Sequence, residues 1–570
     1  MQVSTRRNFV KYLLGLLGTY IAACKPIKKK TILTRFATEP PGDENEDGKE
    51  VDSEETSNKN ISSETSGANA PSRVRKNIWE LNSESPDIVY LTAAIEVMKK
   101  IAPDDPAYGN IGWKGISEQH RKACPHGNHF FLPWHRVYLY YFENTVDYFA
   151  KQLRAHLRGE SVENLIFAKG VPVPALSKEH ATLLVDIEHD FALPYWDWSF
   201  PDKGNGEDIR IMDIVSENPI LDGTRWDDPV IERNIPPEPM DPSWASKSAI
   251  AKIVEIDSFH VFTSGEASGQ RKGTERAYGE LEGAPHNHAH NYIGGTMAHV
   301  PVSALDPIFW MHHCNLDRVW ETWMQFHKFE PTIVEPESDA EGWKNYELYT
   351  FFDLDNQPKT HTVASVLNLR KMDFLGKAVK YDQLAVPITQ NLVEIPRPRK
   401  SSTPILVDSN LISVILDESN HTLSLQLSAG AEKEQLLQRI RHFKDSSRRL
   451  AIAFKGFPEP PEAMPYDHLK FYMQFGPADA ERHHIASYGF FGTHQESINM
   501  SFELSSKLQD IANSQAFVGR GGIQQITDVV FYVALFKSAP RGQRAQSYVP
   551  FANISPADLE RFKTMRIELR

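Results

Sequence analysis

The sequence predicts a mainly α-helical domain followed by a β-sandwich, and three observations carry that expectation. After Ser85-Pro86-Asp87, a helix start with proline in its first turn, Ile88, Leu91, Ile95 and Met98 recur at the spacing of one helix face. Farther on, His286 and His290 stand four positions apart, which on a helix places both on one face, a turn apart. Beyond residue 404 the pattern changes to short β-rich segments separated by turn residues: Ile405–Val407, Leu411–Leu416, Leu423–Leu427, Leu450–Phe454, Leu469–Phe475 and Val529–Phe536.

A chain of 570 residues exceeds what one hydrophobic core usually fills, so two folded domains and some unfolded length are expected. With 41% hydrophobic and 11% aromatic residues it can bury a core, and its net charge of -13 offers no basic field for nucleic acid. The cysteines, Cys24, Cys124 and Cys314, are too few for a disulfide framework, so each needs its own explanation.

The first residues carry an address. Arg6-Arg7 followed by Asn8-Phe9-Val10-Lys11 resembles a Tat-type signal, used by bacteria to export proteins already folded. The apolar run from Tyr12 to Ala23 falls short of the roughly 20 residues that span a bilayer. Ile21-Ala22-Ala23-Cys24 resembles a lipobox, which implies cleavage before Cys24 and acylation of that cysteine; the alternative is an ordinary signal peptide with an incidental cysteine. Residues 1–24 are therefore read as a lipoprotein signal for export across the bacterial inner membrane, giving a periplasmic or cell-envelope protein with a lipid anchor. Residues 25–72 are basic, then acidic, then rich in Ser, Thr and Asn, and are read as a disordered tether.

The chemistry lies in two histidine clusters. His120, His126 and His135 fall within a span that folding can close around one metal, and neutral imidazole suits copper, zinc, iron or nickel alike, so spacing does not name the metal. The second cluster runs from Glu282 through Pro285-His286-Asn287-His288-Ala289-His290 to Asp306-Pro307-Ile308-Phe309-Trp310-Met311-His312-His313-Cys314-Asn315-Leu316-Asp317-Arg318. A zinc protease would place its general-base Glu directly after the first histidine of such a pair, where this chain has Asn287.

Three stretches carry a resemblance to the tyrosinase/polyphenol oxidase family of type-3 copper proteins, in a secreted bacterial form with a C-terminal domain. They are His126 with Phe131-Leu132-Pro133-Trp134-His135-Arg136, Leu139 and Glu143; Leu193-Pro194-Tyr195-Trp196-Asp197-Trp198; and the run from Asp306 to Asp317. The resemblance implies a four-helix bundle around a dicopper site, with His120, His126 and His135 on one copper and His286, His290 and His313 on the other. It selects His313 over His312, which is read as a packed neighbour, and leaves His129 over. Leu139 and Glu143 sit one and two turns beyond His135, where support for a ligand is expected. Cys124-Pro125-His126 matches the Cys-x-His that forms a thioether in some members; Cys124 as an ordinary buried thiol is the alternative, and Cys314 is read as a packing residue.

The resemblance further implies that Glu282 and Asn287 orient a water that takes the phenol proton, their bland alternatives being a helix-start carboxylate and a surface amide. It places Val300 as a small gate over the second copper. Tyr381-Asp382 closes the expected catalytic domain (73–385), followed by a linker (386–404), a β-rich shielding domain (405–540) and a tail (541–570) whose Arg541–Arg544 offers a cleavage region. Tyr488-Gly489-Phe490-Phe491-Gly492 and Phe457-Pro458-Glu459-Pro460-Pro461 each offer aromatic residues that could plug the site, and the sequence does not choose between them.

The expected function is that of an enzyme with two copper ions and O2 as co-substrate. It converts small phenols to o-quinones, by o-diphenol oxidation and monophenol ortho-hydroxylation, and is latent until its C-terminal domain is removed. A copper-loading partner has a place in this scheme, and the oligomeric state is not set by the sequence. The alternatives are a haemocyanin-like dioxygen carrier, with phenols shut out of the same site, and a lipid-anchored module with a structural metal.

Overall fold

A computed structural model of the chain describes residues 73–570, apart from 162–164, 200–240, 266–275, 328–339, 373–376, 389–403, 418–421, 446–448, 459–467, 477–480, 492–496, 515–521, 538–546 and 549–559. The signal and tether expected for residues 1–72, Cys24 among them, lie outside the described residues, as do Arg541–Arg544 and most of the expected linker. Among the described residues no helix is long and apolar enough to cross a membrane.

Five helices frame the first domain: α1 (Pro86–Lys100), α2 (Trp113–Ala123), α3 (Phe131–Leu157), α4 (Asn287–Ile293) and α5 (Pro307–Phe326). α1 forms where its apolar spacing predicts, with Pro86 in the first turn, where the missing N–H costs nothing. α5 starts at Asp306, whose carboxylate accepts from the Ile308 N–H at 3.0 Å, with Pro307 next to it. Every residue from Phe131 to Glu143 and from Pro307 to Met324 is buried, so α3 and α5 lack the polar stripe of a surface helix and run through the centre of the domain. α3 packs against both α1 and α5.

A buried charge network ties this bundle to the chain on either side of it. Arg75 reaches both oxygens of Glu143 at 3.2 Å and Asp317 at 3.1 Å, Arg136 reaches Asp317 at 2.5 Å, and the Tyr381 hydroxyl donates to Asp317 at 2.6 Å. Arg318 pairs with Asp197 at 3.1 Å and lies over the Tyr195 ring, whose hydroxyl donates to Asp382 at 2.8 Å. Removing one partner from such a cluster strands a buried charge, at about 3–5 kcal/mol. The motif residues between and beyond the histidine clusters thus hold α3 and α5 in register.

Strand β1 (Arg73–Arg75) opens the described chain, and β2 (Arg276–Tyr278) precedes the second histidine cluster. β3 (Glu347–Phe352) and β4 (Pro358–Thr362) form a hairpin, and β5 (Val379–Tyr381) returns parallel to β1. Then come β6 (Ile405–Val407), β7 (Ile412–Asp417), β8 (Thr422–Leu427), β9 (Ala451–Pro458), β10 (His468–Gln474), β11 (His483–Gly489), β12 (Ser497–Glu503), β13 (Val530–Lys537), β14 (Ser547–Tyr548) and β15 (Arg566–Leu569). They make two sheets, ordered β11-β10-β13-β8-β7 with β14 on β13, and β2-β12-β9-β15-β6. Phe454 and Phe502 of the second sheet meet Phe471 and Phe531 of the first, with ring centroids 4.6 to 5.9 Å apart for three of the pairs, which is a sandwich core.

Two domain expectations need correction. The stretch after 540, read as a tail, supplies β15, which lies between β9 and β6 with Ile567 and Leu569 buried. Its four residues are too short a pattern to announce a core strand. The division into separate domains also fails at β2, which comes from the first domain's sequence yet pairs parallel with β12 as the edge of the second domain's sheet.

Candidate metal centre

The six histidines converge from different elements. His120 comes from the last turn of α2, His126 from the connection to α3, and His135 from the first turns of α3. His286 ends a widened helical turn (Glu282–His286) that Pro285 interrupts, the Asn287 N–H reaching back to the Glu282 carbonyl; His290 lies on α4 and His313 on α5. Ring centroids within the first triad are 5.9, 5.6 and 5.5 Å apart, and within the second 4.6, 5.0 and 5.5 Å. The triads face each other: His135 stacks on His313 at 4.5 Å and His126 lies 5.7 Å from His286.

Hydrogen bonds show which nitrogen each ring turns inward. The Nδ1–H groups of His120, His135 and His290 donate to the carbonyls of Val300 (3.0 Å), Phe131 (2.7 Å) and Met297 (2.7 Å), and that of His286 donates to the Asn287 side-chain oxygen at 2.8 Å. A carbonyl oxygen only accepts, so each ring carries its proton on Nδ1 and keeps a lone pair on Nε2. Among the described residues the buried Nε2 atoms of His120, His126, His135 and His286 have no hydrogen-bond partner, and those of His290 and His313 face each other at 3.3 Å. Burial holds all six well below the usual imidazole range, joined by the crowding of like rings for all but His135, with His135 and His286 at about 3, so they are neutral and able to ligate. Buried, unpartnered lone pairs aimed at one another fit a pair of metal ions.

His312, expected as a packed neighbour, lies against His286 and His290. It joins His286, His290 and His313 in one buried cluster whose nitrogens lie within 4.8 Å of one another. Its Nδ1 accepts from the indole N–H of Trp198 at 3.1 Å, and indole only donates, so its proton sits on Nε2. That tautomer sets it apart from the rings that offer Nε2, and it is the physical reason to prefer His313. The Trp198 in the Leu193–Trp198 motif was the signal available in the sequence.

The remaining site residues are placed less simply. Cys124 follows α2, with its sulfur near the nitrogens of His120 and His126, and burial pushes its thiol up to about 12. Glu282 is fully buried and held by the Gly127 N–H, at 2.9 and 3.1 Å from its two oxygens, and by the Ser264 hydroxyl; burial pushes it up to about 8. Asn287 is held on both sides, its amide donating to the Gly489 carbonyl at 2.7 Å and its side-chain oxygen accepting from His286 at 2.8 Å. Val300, expected over the second triad, is tied through its carbonyl to His120 of the first. The ring that lies over the second triad is Phe491, 2% exposed and stacked on His290 at 3.8 Å and 18°. It follows the end of β11 by two residues, within the Tyr488–Gly492 segment that the sequence offers as one of two candidate plugs.

Residues 98–326 match the common central domain of tyrosinase. Over this segment the chain is similar to the tyrosinase family. It is 28% identical over 334 residues to the tyrosinase HcTyr1 of Hahella sp. (strain CCB-MM4), covering 52% of this chain and 61% of that one. An A-type hemocyanin of Enteroctopus dofleini, units Ode to Odg, is 24% identical over 332 residues, covering 55% of this chain and 22% of its own length. The tyrosinase of Streptomyces antibioticus is 25% identical over 229 residues, or 36% of this chain and 65% of its own. The chain thus spans less than two thirds of the length of each of these relatives.

Proposed function

We propose that the protein is a dicopper oxidase that converts phenols to o-quinones with O2 and is latent in the intact chain. The observation that carries this reading is the convergence of six neutral imidazoles, four of them with Nε2 fixed inward by the hydrogen bond on Nδ1. His120, His126 and His135 would hold one copper, and His286, His290 and His313 the other. When bound, the pair supplies electrons to dioxygen, chemistry the protein side chains lack. The chain's own part is to orient the rings, exclude water and admit an aromatic ring over His290.

Latency rests on Phe491, which fills that place from the C-terminal domain. Its segment is anchored by Asn287 and Asn291, whose amides donate to the carbonyls of Gly489 and Phe490, each at 2.7 Å. Withdrawal of the segment frees the Asn287 amide and opens room for a phenol. Glu282, by gripping the Gly127 N–H, holds the loop that carries His126. Ortho-hydroxylation of monophenols then draws on Asn287 in the opened form, and a Cys124–His126 thioether would fix one ligand ring. The twin arginines and Cys24 support export and a lipid anchor.

A closed site also suits a dioxygen carrier, the reading favoured if Phe491 never leaves. Copper-loaded full-length protein, tested before and after limited proteolysis with catechol and with tyrosine while quinone absorbance is followed, separates the two. Turnover appearing on cleavage is expected; reversible oxygen binding without turnover in every form would contradict the oxidase.

A further inference from the structure

A line of aromatic rings leads away from the first triad. Trp134 stands edge to face with His135 at 5.0 Å and lies 6.1 Å from His120. Phe351 of β3 lies 5.4 Å from Trp134 and stacks on Tyr141 at 5.7 Å and 11°. Trp134 and Tyr141 share α3, close to two turns apart on one face, about 10 Å along its axis. The line ends on β4, where the Tyr141 hydroxyl and the His361 Nε2 share a hydrogen bond of 2.8 Å. Tyr141 is 4% exposed, while His361 is half-buried, two residues from the exposed Lys359.

These are the parts of a redox-active tyrosine. A phenol gives up an electron readily only when its proton can leave with it, because an oxidised phenol is a strong acid. Burial and Lys359 hold the His361 imidazole at about 4, so it is neutral and has a lone pair for that proton. Even so weak a base takes a proton from an oxidised phenol. Tyr138 and Tyr140 end differently: their hydroxyls donate to the carbonyls of Ile116 and Lys377, at 2.7 and 2.6 Å, and a carbonyl is no base.

Resting on the dicopper reading above, we propose that Trp134 and Tyr141 relay single electrons between the protein surface and the first copper, with His361 holding the phenol proton. The relay gives the chain a peroxidase activity toward one-electron donors that never enter the site. Hydrogen peroxide reduced at the copper pair takes two electrons and two protons and leaves as two waters. Each electron comes from Tyr141 by way of Trp134, which leaves a neutral phenoxyl radical at Tyr141 and an imidazolium at His361. A donor at the surface then returns one electron, and the proton moves back to the phenol oxygen. Two such passes oxidise two donor molecules, and solvent supplies the two protons of the waters. Phe491 keeps phenols from the pair in the closed chain, but an electron needs no opening.

The test uses copper-loaded full-length protein and hydrogen peroxide. Ferrocytochrome c serves as the donor, too large for the site and basic enough to be drawn to a chain of net charge -13. Frozen without the cytochrome, the sample should show a tyrosyl radical by electron paramagnetic resonance, with a signal that narrows when tyrosine is ring-deuterated. Tyr141→Phe should remove that signal and slow cytochrome oxidation. His361→Gln keeps a hydrogen-bond acceptor but no base, and each of these two variants should be slower roughly a hundredfold, the usual worth of a positioned proton acceptor. Tyr140→Phe, which deletes a neighbouring hydroxyl, should change neither readout, and all three variants should oxidise catechol like the wild type after limited proteolysis. A radical signal that survives Tyr141→Phe, or cytochrome oxidation at the wild-type rate in that variant, overturns the inference. So does the absence of a radical, in intact and cleaved chains alike, from a preparation that oxidises catechol. Failure to oxidise catechol in any form removes the oxidase reading itself.

Discussion

Replacing Phe491 by alanine should activate the intact chain without cleavage. The ring is 2% exposed and lies against His290, His286 and His126, at centroid distances of 3.8, 5.5 and 6.0 Å. Burying a phenylalanine side chain contributes about 2–3 kcal/mol. At about 1.4 kcal/mol per factor of ten, its loss weakens closure roughly 30- to 150-fold. The main chain at 489 and 490 keeps its two asparagine bonds, so the domain stays docked while the ring's place over His290 is vacated. The assay is the initial rate of catechol oxidation by full-length copper-loaded protein, with the cleaved wild type setting the maximum. A rise of one to two orders of magnitude is expected. A Phe491→Ala chain as slow as the intact wild type, with both activated alike by proteolysis, would refute the reasoning and move the block elsewhere.

His313→Ala should reduce copper content, measured by elemental analysis, from two ions per chain to one, whereas His312→Ala keeps two, because only His313 lacks a donor that fixes its proton on the inward nitrogen. The peptide joining Cys124 to His126 should be lighter by two hydrogens after copper loading in air, and Cys124→Ser should abolish that loss. Glu280, which accepts from the Glu503 N–H at 2.6 Å, is pushed from 4.5 up to about 7 by burial, opposed by Lys507 and reinforced by Glu503. A carboxyl raised on folding keeps its proton longer than in the unfolded chain, so its contribution is present below about pH 4.5 and is lost as pH rises through about 7. The melting temperature of the wild type should therefore fall relative to Glu280→Gln between pH 5 and pH 8, and parallel curves would contradict this.

What the sequence disclosed was what local spacing encodes. The helix at 86–100, the one-turn pairing of His286 with His290, and the segments at 405–407, 422–427 and 530–537 follow from periods of 3.6 and 2 within short windows. Choosing His313 over His312 needed the family pattern, because adjacent histidines on one helix have nearly equal claims until Trp198 assigns the tautomer. Contacts distant in sequence were not legible. β2 on the edge of the C-terminal sheet and β15 inside it depend on tertiary pairing, for which three or four residues carry no signature; for the plug the sequence offers Tyr488–Gly492 beside Phe457–Pro461, and only the fold chooses Phe491. Legible only in the fold are the Val300 carbonyl as acceptor for His120 and the Glu282 carboxylate as acceptor for the Gly127 N–H.

The oxidase reading stands on two facing imidazole triads that each hold one copper. Crystals of the copper-loaded full-length protein, with diffraction recorded across the copper absorption edge, test it directly. The expected result is two anomalous peaks roughly 3.5–4 Å apart, one bonded to the Nε2 atoms of His120, His126 and His135 and the other to those of His286, His290 and His313. A single peak, or a peak bonded to His312 in place of His313, would contradict it.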